Sequence, residues 1–120
     1  MAEVIEGTKK NELQMRDLCE ASAVPADSGL KVSVPGRDPV AVFRVGSEYF
    51  VIDDTCTHGN GSLAEGETMG YEVTCPYHFG RFCLRTGQAT APPCVDPVQT
   101  YRSEIRLGRV CAAIEDLDHE

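Results

Sequence analysis

Cys56-Thr57-His58 and Cys75-Pro76-Tyr77-His78 are the two segments of this chain whose residue types could do chemistry together. Each offers one thiolate and one imidazole from a short stretch, and sixteen residues separate His58 from Cys75. Two sulfurs and two nitrogens suit either of two metal groups. Zinc accepts such a set, but structural zinc sites favour Cys-x-x-Cys knuckles and wider histidine spacing. A binuclear iron–sulfur cluster accepts it when two histidines replace two of the four cysteines. The one-residue gap between Cys56 and His58 suits ligands diverging to two irons better than ligands converging on one zinc. Gly59, Gly61 and Gly80 would let the backbone approach such a cluster and offer N–H groups to its sulfurs.

The ligand types carry a redox consequence. Neutral imidazoles in place of two thiolates make the cluster less negative, so an added electron meets less repulsion. The potential rises from about −400 mV for plant-type ferredoxins to a range of roughly −150 to +300 mV. The electron should reside mainly on the histidine-ligated iron, with imidazole edges as its exit route.

These residues resemble the Rieske pattern at every ligand position, CxH, sixteen residues, then CxxH. The resemblance is closest to the small Rieske ferredoxins of bacterial ring-hydroxylating oxygenases and runs from about Met15 to Glu115. Its specific blocks are Cys56-Thr-His-Gly-Asn-Gly-Ser-Leu-Ala64 and Cys75-Pro-Tyr-His-Phe-Gly-Arg-Phe-Cys-Leu-Arg-Thr-Gly87. Ala91-Pro92-Pro93-Cys94 resembles the proline-containing loop that covers the cluster's third side. The resemblance implies one Rieske 2Fe–2S cluster, with Cys56 and Cys75 on the buried iron and His58 and His78 on the outer one. It also implies an all-β Rieske fold of antiparallel sheets, with a cluster-binding subdomain at about 54–95 inserted in a domain spanning 15–115.

The chain departs from the respiratory and photosynthetic Rieske proteins. Their two additional disulfide cysteines correspond to Gly61 and Tyr77. Their serine and tyrosine hydroxyls, which donate hydrogen bonds that raise the potential, correspond to Gly80 and Phe82. Without those donors the reduced cluster is less stabilised, and a potential near the bottom of the class range is expected.

The elements that must position the ligands read as mostly β. Residues 1–14 form a polar tail and 116–120 an acidic one, while Met15–Ala23 could make a helical turn or two before Pro25. Leu30–Val34 and Val40–Val45 read as strands about the Pro35-Gly36 turn, and Tyr49–Asp53 completes a hairpin into the first ligand loop. Tyr71–Thr74 leads into the second loop and Arg81–Leu84 out of it. Thr100–Leu107 alternates, with Tyr101, Ser103, Ile105 and Leu107 opposite Arg102, Glu104 and Arg106. Gly108-Arg109 then turns the chain towards Val110–Ile114.

At 120 residues the chain is expected to be one domain. No apolar run is long enough to span a membrane, and residues 1–10 do not read as a secretory signal, so a cytoplasmic protein is expected. Of six cysteines, four lie outside the ligand set. Cys83 and Cys111 read as inert core, Cys19 as packing in the short helix, and Cys94 as partly exposed beside the proline loop.

The net charge of −8 argues against nucleic acid and fits a partner with a basic docking surface. Asp53, Asp54, Glu65, Glu67 and Glu72 are candidates for that surface, against the plainer reading of a solvated acidic face. Arg81 and Arg85 could touch a partner or neutralise nearby carboxylates. Only three histidines are present, and His119 stands alone near the C-terminus, so a mononuclear iron triad cannot be assembled beside the cluster. No glycine-rich dinucleotide signature appears. The expectation is a monomeric one-electron carrier, not an enzyme. By resemblance, a flavin-dependent NADH:ferredoxin reductase would reduce it and a terminal aromatic ring-hydroxylating oxygenase would oxidise it. The alternatives are a small subunit fixed in a larger reductase and a zinc-binding structural module.

Overall fold

The computed structural model describes residues 15–57, 59, 61–77 and 79–114. His58, His78, His119 and the two expected tails, 1–14 and 116–120, lie outside the described residues. Three antiparallel sheets make up the fold.

The central sheet pairs β2 (Leu30–Val34), β3 (Arg37–Val45), β4 (Glu48–Asp53) and β9 (Thr100–Tyr101) in that order. Strand β3 contains the run Val40-Ala41-Val42-Phe43, apolar at every position because both faces of the sheet are covered. Val40 and Val42 pack with Val51, Val110, Ala112 and Ile114, whereas Ala41 and Phe43 pack on the other side with Ile52, Leu63, Val73 and Phe82. Pro39 sits where the β2–β3 register shifts, a position that tolerates its missing N–H. Gly36, with φ of 82°, makes the turn read at Pro35-Gly36.

On one side lies the outer sheet, ordered β1 (Met15–Glu20), β11 (Arg109–Ala113), β10 (Ser103–Arg106). Met15–Glu20 is therefore a strand and not the expected helix; only Ala21–Ala23 turns, in a 3₁₀ arrangement. Pairing with β11 overrides the local propensity, and Cys19 is buried in the core that this sheet shares with the central one. The expected strand over 100–107 is two strands in two different sheets, broken at Arg102. Its expected alternation fails at the far end, where Ile105 and Leu107 are exposed.

On the other side is the sheet β5 (Thr68–Met69), β6 (Glu72–Thr74), β7 (Arg81–Cys83), β8 (Ala89–Ala91). It lies in sequence between β4 and β9, which pair directly through Val51–Tyr101 and Ile52–Thr100. The described residues of the two expected ligand segments, Cys56-Thr57 and Cys75-Pro76-Tyr77, belong to this excursion.

Candidate functional site

Cys56 and Cys75 are each 3% exposed and stand at the start of loops closed in the same way. The Cys56 N–H donates to the Gly61 carbonyl at 2.9 Å, and the Cys75 N–H to the Gly80 carbonyl at 2.7 Å. Each loop is thus pinned to a glycine five positions on. The residue following each histidine in sequence also donates back to the cysteine. Gly59 N–H reaches the Cys56 carbonyl at 3.2 Å, and Phe79 N–H the Cys75 carbonyl at 2.9 Å. Phe79 adopts a φ of 65°, a left-handed conformation uncommon for a non-glycine residue.

The loops also touch one another. A Cβ on Gly61 would lie 2.8 Å from the Cys75 Sγ and 3.4 Å from the Tyr77 ring, so only glycine fits beside that sulfur without displacing it. The contact joins the two positions expected to replace the disulfide of the respiratory branch. The second loop is in turn tight against a third segment, since a Cβ on Gly80 would collide with the Cys94 Sγ. Cys94 closes the ring, its Sγ 3.7 Å from that of Cys56. Buried cysteine sulfurs and glycine cradles suit a sulfur-ligated cluster.

The framework grips the first loop at both ends. Asp54 is 2% exposed; its Oδ1 accepts from Ser62 Oγ at 2.8 Å and from Ala64 N–H at 2.9 Å. Its own N–H donates to the Pro39 carbonyl at 3.2 Å, and its carbonyl accepts from Leu63 N–H at 2.7 Å. Thr57 Oγ1 donates to the Asp96 carbonyl at 2.8 Å, tying the loop to the segment beyond the proline loop.

Several sequence expectations need correction. Asp54 cannot belong to a docking surface, because it is buried and holds the loop. Asp53 is drawn into a network, accepting from Arg37 Nη2 at 2.7 Å and from the Tyr101 hydroxyl at 2.6 Å. Glu65 and Glu67 are exposed, as a docking role requires, while Glu72 pairs with Arg81 at 3.3 Å. Arg85 lies 3.8 Å over the Tyr71 ring, whose hydroxyl donates to Glu48. Cys94 is buried rather than partly exposed, and burial, with the neighbouring Cys56, pushes its thiol up to about 12. Cys111 is core as expected, but Cys83 is half-buried, and a hydrogen bond with the Thr86 side chain lowers its thiol pKa. Exposed apolar or aromatic side chains of the second loop and the proline segment are Tyr77, Phe79, Pro92, Pro93 and Val95, interspersed with exposed polar Thr55, Thr57, Arg81 and Asp96.

Comparison with known proteins identifies this architecture. The model of the Rieske [2Fe-2S] domain matches residues 14–102. The chain belongs to the Rieske [2Fe–2S] family. The ferredoxin component of a p-cumate 2,3-dioxygenase system from Pseudomonas putida is 40% identical over 94 residues, 78% of this chain and 80% of that protein. Among solved structures, the Sphingomonas yanoikuyae B1 ferredoxin superposes with a TM-score of 0.79 at 37% identity, over 82% of this chain and 97% of that one. The ferredoxin in a complex of reduced oxygenase and oxidized ferredoxin of carbazole 1,9a-dioxygenase matches with a TM-score of 0.79 at 36% identity, over 85% of this chain and 94% of that one. This Rieske protein is accordingly an electron carrier with one 2Fe–2S cluster, and its role is electron transfer rather than catalysis.

Proposed function

We propose that this Rieske protein is the ferredoxin of a bacterial aromatic ring-hydroxylating oxygenase system. It takes electrons singly from an NADH-dependent flavoprotein reductase and delivers them to a terminal oxygenase. Cys56 and Cys75 hold the buried iron and His58 and His78 the outer one, within a cluster-binding subdomain at about 54–95 of a domain spanning 15–115. The observation that carries the ligand assignment is the matched closure of the two loops, Cys56 to Gly61 and Cys75 to Gly80, with Gly61 seated against the Cys75 sulfur. The system assignment draws on relatives such as the p-cumate dioxygenase ferredoxin component.

When bound, the cluster supplies a one-electron couple whose potential histidine ligation raises above that of an all-cysteine centre. The chain's own residues do the rest. Leu63, Phe82 and Leu84 exclude water behind the ligand cysteines. Asp54 and Thr57 keep the first loop in place. Tyr77, Phe79 and Val95 offer a small apolar surface, suited to a partner that must bind briefly and leave. Glu65 and Glu67 supply charge for steering towards a basic partner face. The carrier works as a cytoplasmic monomer at a potential low in the Rieske range.

Electron paramagnetic resonance after anaerobic dithionite reduction, with metal analysis of the same sample, tests the reading. A rhombic signal of low average g and two irons per chain is expected, and it should disappear on replacing either His58 or His78 with alanine. A silent sample holding one zinc would overturn the assignment. Charge reversal at Glu65 and Glu67 should slow turnover with the partner oxygenase at low salt only; equal rates at all ionic strengths would remove those residues from docking.

A further inference from the structure

We propose that Cys94 is a positioning residue for the redox couple: its S–H group donates a hydrogen bond to the Sγ of Cys56 and raises the potential of the cluster. Three observations meet at this thiol. Its sulfur is 3.7 Å from the Cys56 sulfur, within hydrogen-bonding range for two sulfurs. It is only 6% exposed, so water does not compete for the proton. Gly80 packs directly against it, its absent Cβ leaving the space that the Cys94 sulfur fills, with the Cys94 Cβ and N 3.0 Å from that position. A larger residue at 80 would push the sulfur away.

The physical consequence follows from charge. With Cys56 as a thiolate ligand its sulfur has no proton to give, so in the hydrogen bond between the two sulfurs Cys94 is the donor. A thiol is a weak donor, but its acceptor here is a negatively charged sulfur. Donation withdraws charge from that sulfur and favours the more negative reduced cluster. Gly80 and Phe82 offer no hydroxyl to the cluster. A thiol from the third segment acts in their stead, partly offsetting their absence.

The inference rests on the ligand assignment proposed above, and the experiment separates the two. The full chain carrying its cluster is titrated spectroelectrochemically as wild type, Cys94→Ala and Cys94→Ser. Alanine removes the donor, and the reduction equilibrium should fall by about three- to tenfold; tenfold equals about 59 mV for one electron. Serine keeps a donor and should hold the wild-type value within about threefold, or exceed it. Unchanged potentials in both variants, or equal falls in both, would overturn the proposal, the second because it marks a packing role. Should the alanine variant assemble no cluster, serine alone decides: a fall of threefold or more refutes the donor, and retention or a rise supports it. A wild-type protein without the mixed-ligand signal would instead refute the ligand assignment.

Discussion

Asp54 offers a direct test of how the framework holds the first ligand loop. Its Oδ1 serves two donors at once, Ser62 Oγ at 2.8 Å and Ala64 N–H at 2.9 Å, inside a site 2% exposed. Lys31 is 3.9 Å from the other oxygen, but its side chain is 53% exposed, so that pair contributes little. In Asp54→Ala the buried Ala64 N–H loses its partner, which costs about 1–3 kcal/mol. Half-buried Ser62 can turn to water, adding roughly 0.5–1 kcal/mol for the lost bond. The total is about 3 kcal/mol, or roughly 12–20 °C in apparent melting temperature for a domain of this size. Asp54→Asn retains an acceptor in the same place and loses only the charge assistance, about 1 kcal/mol. The assay is thermal unfolding of the cluster-loaded protein, followed by far-ultraviolet circular dichroism and by bleaching of the visible bands. In the alanine variant bleaching should precede loss of the sheets, because the loop lets go first. Equal losses for asparagine and alanine would show that the charge matters and the acceptor does not. An alanine variant within about 0.5 kcal/mol of wild type would remove the hydrogen-bonding role altogether.

Gly66→Ala should lower both cluster content and melting temperature. Its Cβ would collide with the Thr74 carbonyl oxygen, a backbone atom that cannot rotate away, and overpacking of this kind costs about 1–3 kcal/mol or more; a variant with unchanged cluster content and melting temperature would contradict the geometry. Cys83 should react with iodoacetamide before Cys19 and Cys111, whose thiols burial pushes up, and Thr86→Val should slow it; peptide mapping after brief labelling reads the order, and equal labelling of Cys19 would refute it. Burial and the Asp53 acceptor push the Tyr101 hydroxyl up to about 12, so the folded protein keeps a proton that the unfolded chain releases near about 10. That contribution is complete below pH of about 10 and is lost as pH rises towards about 12. Urea midpoints should therefore fall more steeply over that window in wild type than in Tyr101→Phe, and parallel curves would count against the shift.

The legible parts of this protein are those whose signal is local. The two Cys-His segments stand out by residue type and spacing, and Val40–Val45 reads as a strand from its apolar run, which the fold covers on both faces. What was illegible depends on partners distant in sequence. Met15–Glu20 has helix-compatible residues, and only its pairing with β11 makes it a strand. Asp54 looks like one more surface acid until the fold closes Ser62 and Ala64 around it. The phase of 100–107 fails because the chain changes sheet at Arg102, so one alternating pattern cannot describe both halves. Cys94 has no spacing partner; its contact with Cys56 spans 38 positions.

The two dissimilar motifs share one backbone closure. CxH and CxxH look like different devices, yet each loop runs from its cysteine to a glycine five positions later and closes with the same bond. The difference appears one step earlier. The Cys56 carbonyl accepts from the third residue on, Gly59, and the Cys75 carbonyl from the fourth, Phe79, each being the residue after the histidine. The additional residue of the second motif is thus taken up in the Pro76-Tyr77 turn before His78, and the left-handed Phe79 restores the path to Gly80. Spacing alone counts residues between ligands. The hydrogen bonds show that the quantity common to the CxH and CxxH segments is the five-residue closure from cysteine to glycine.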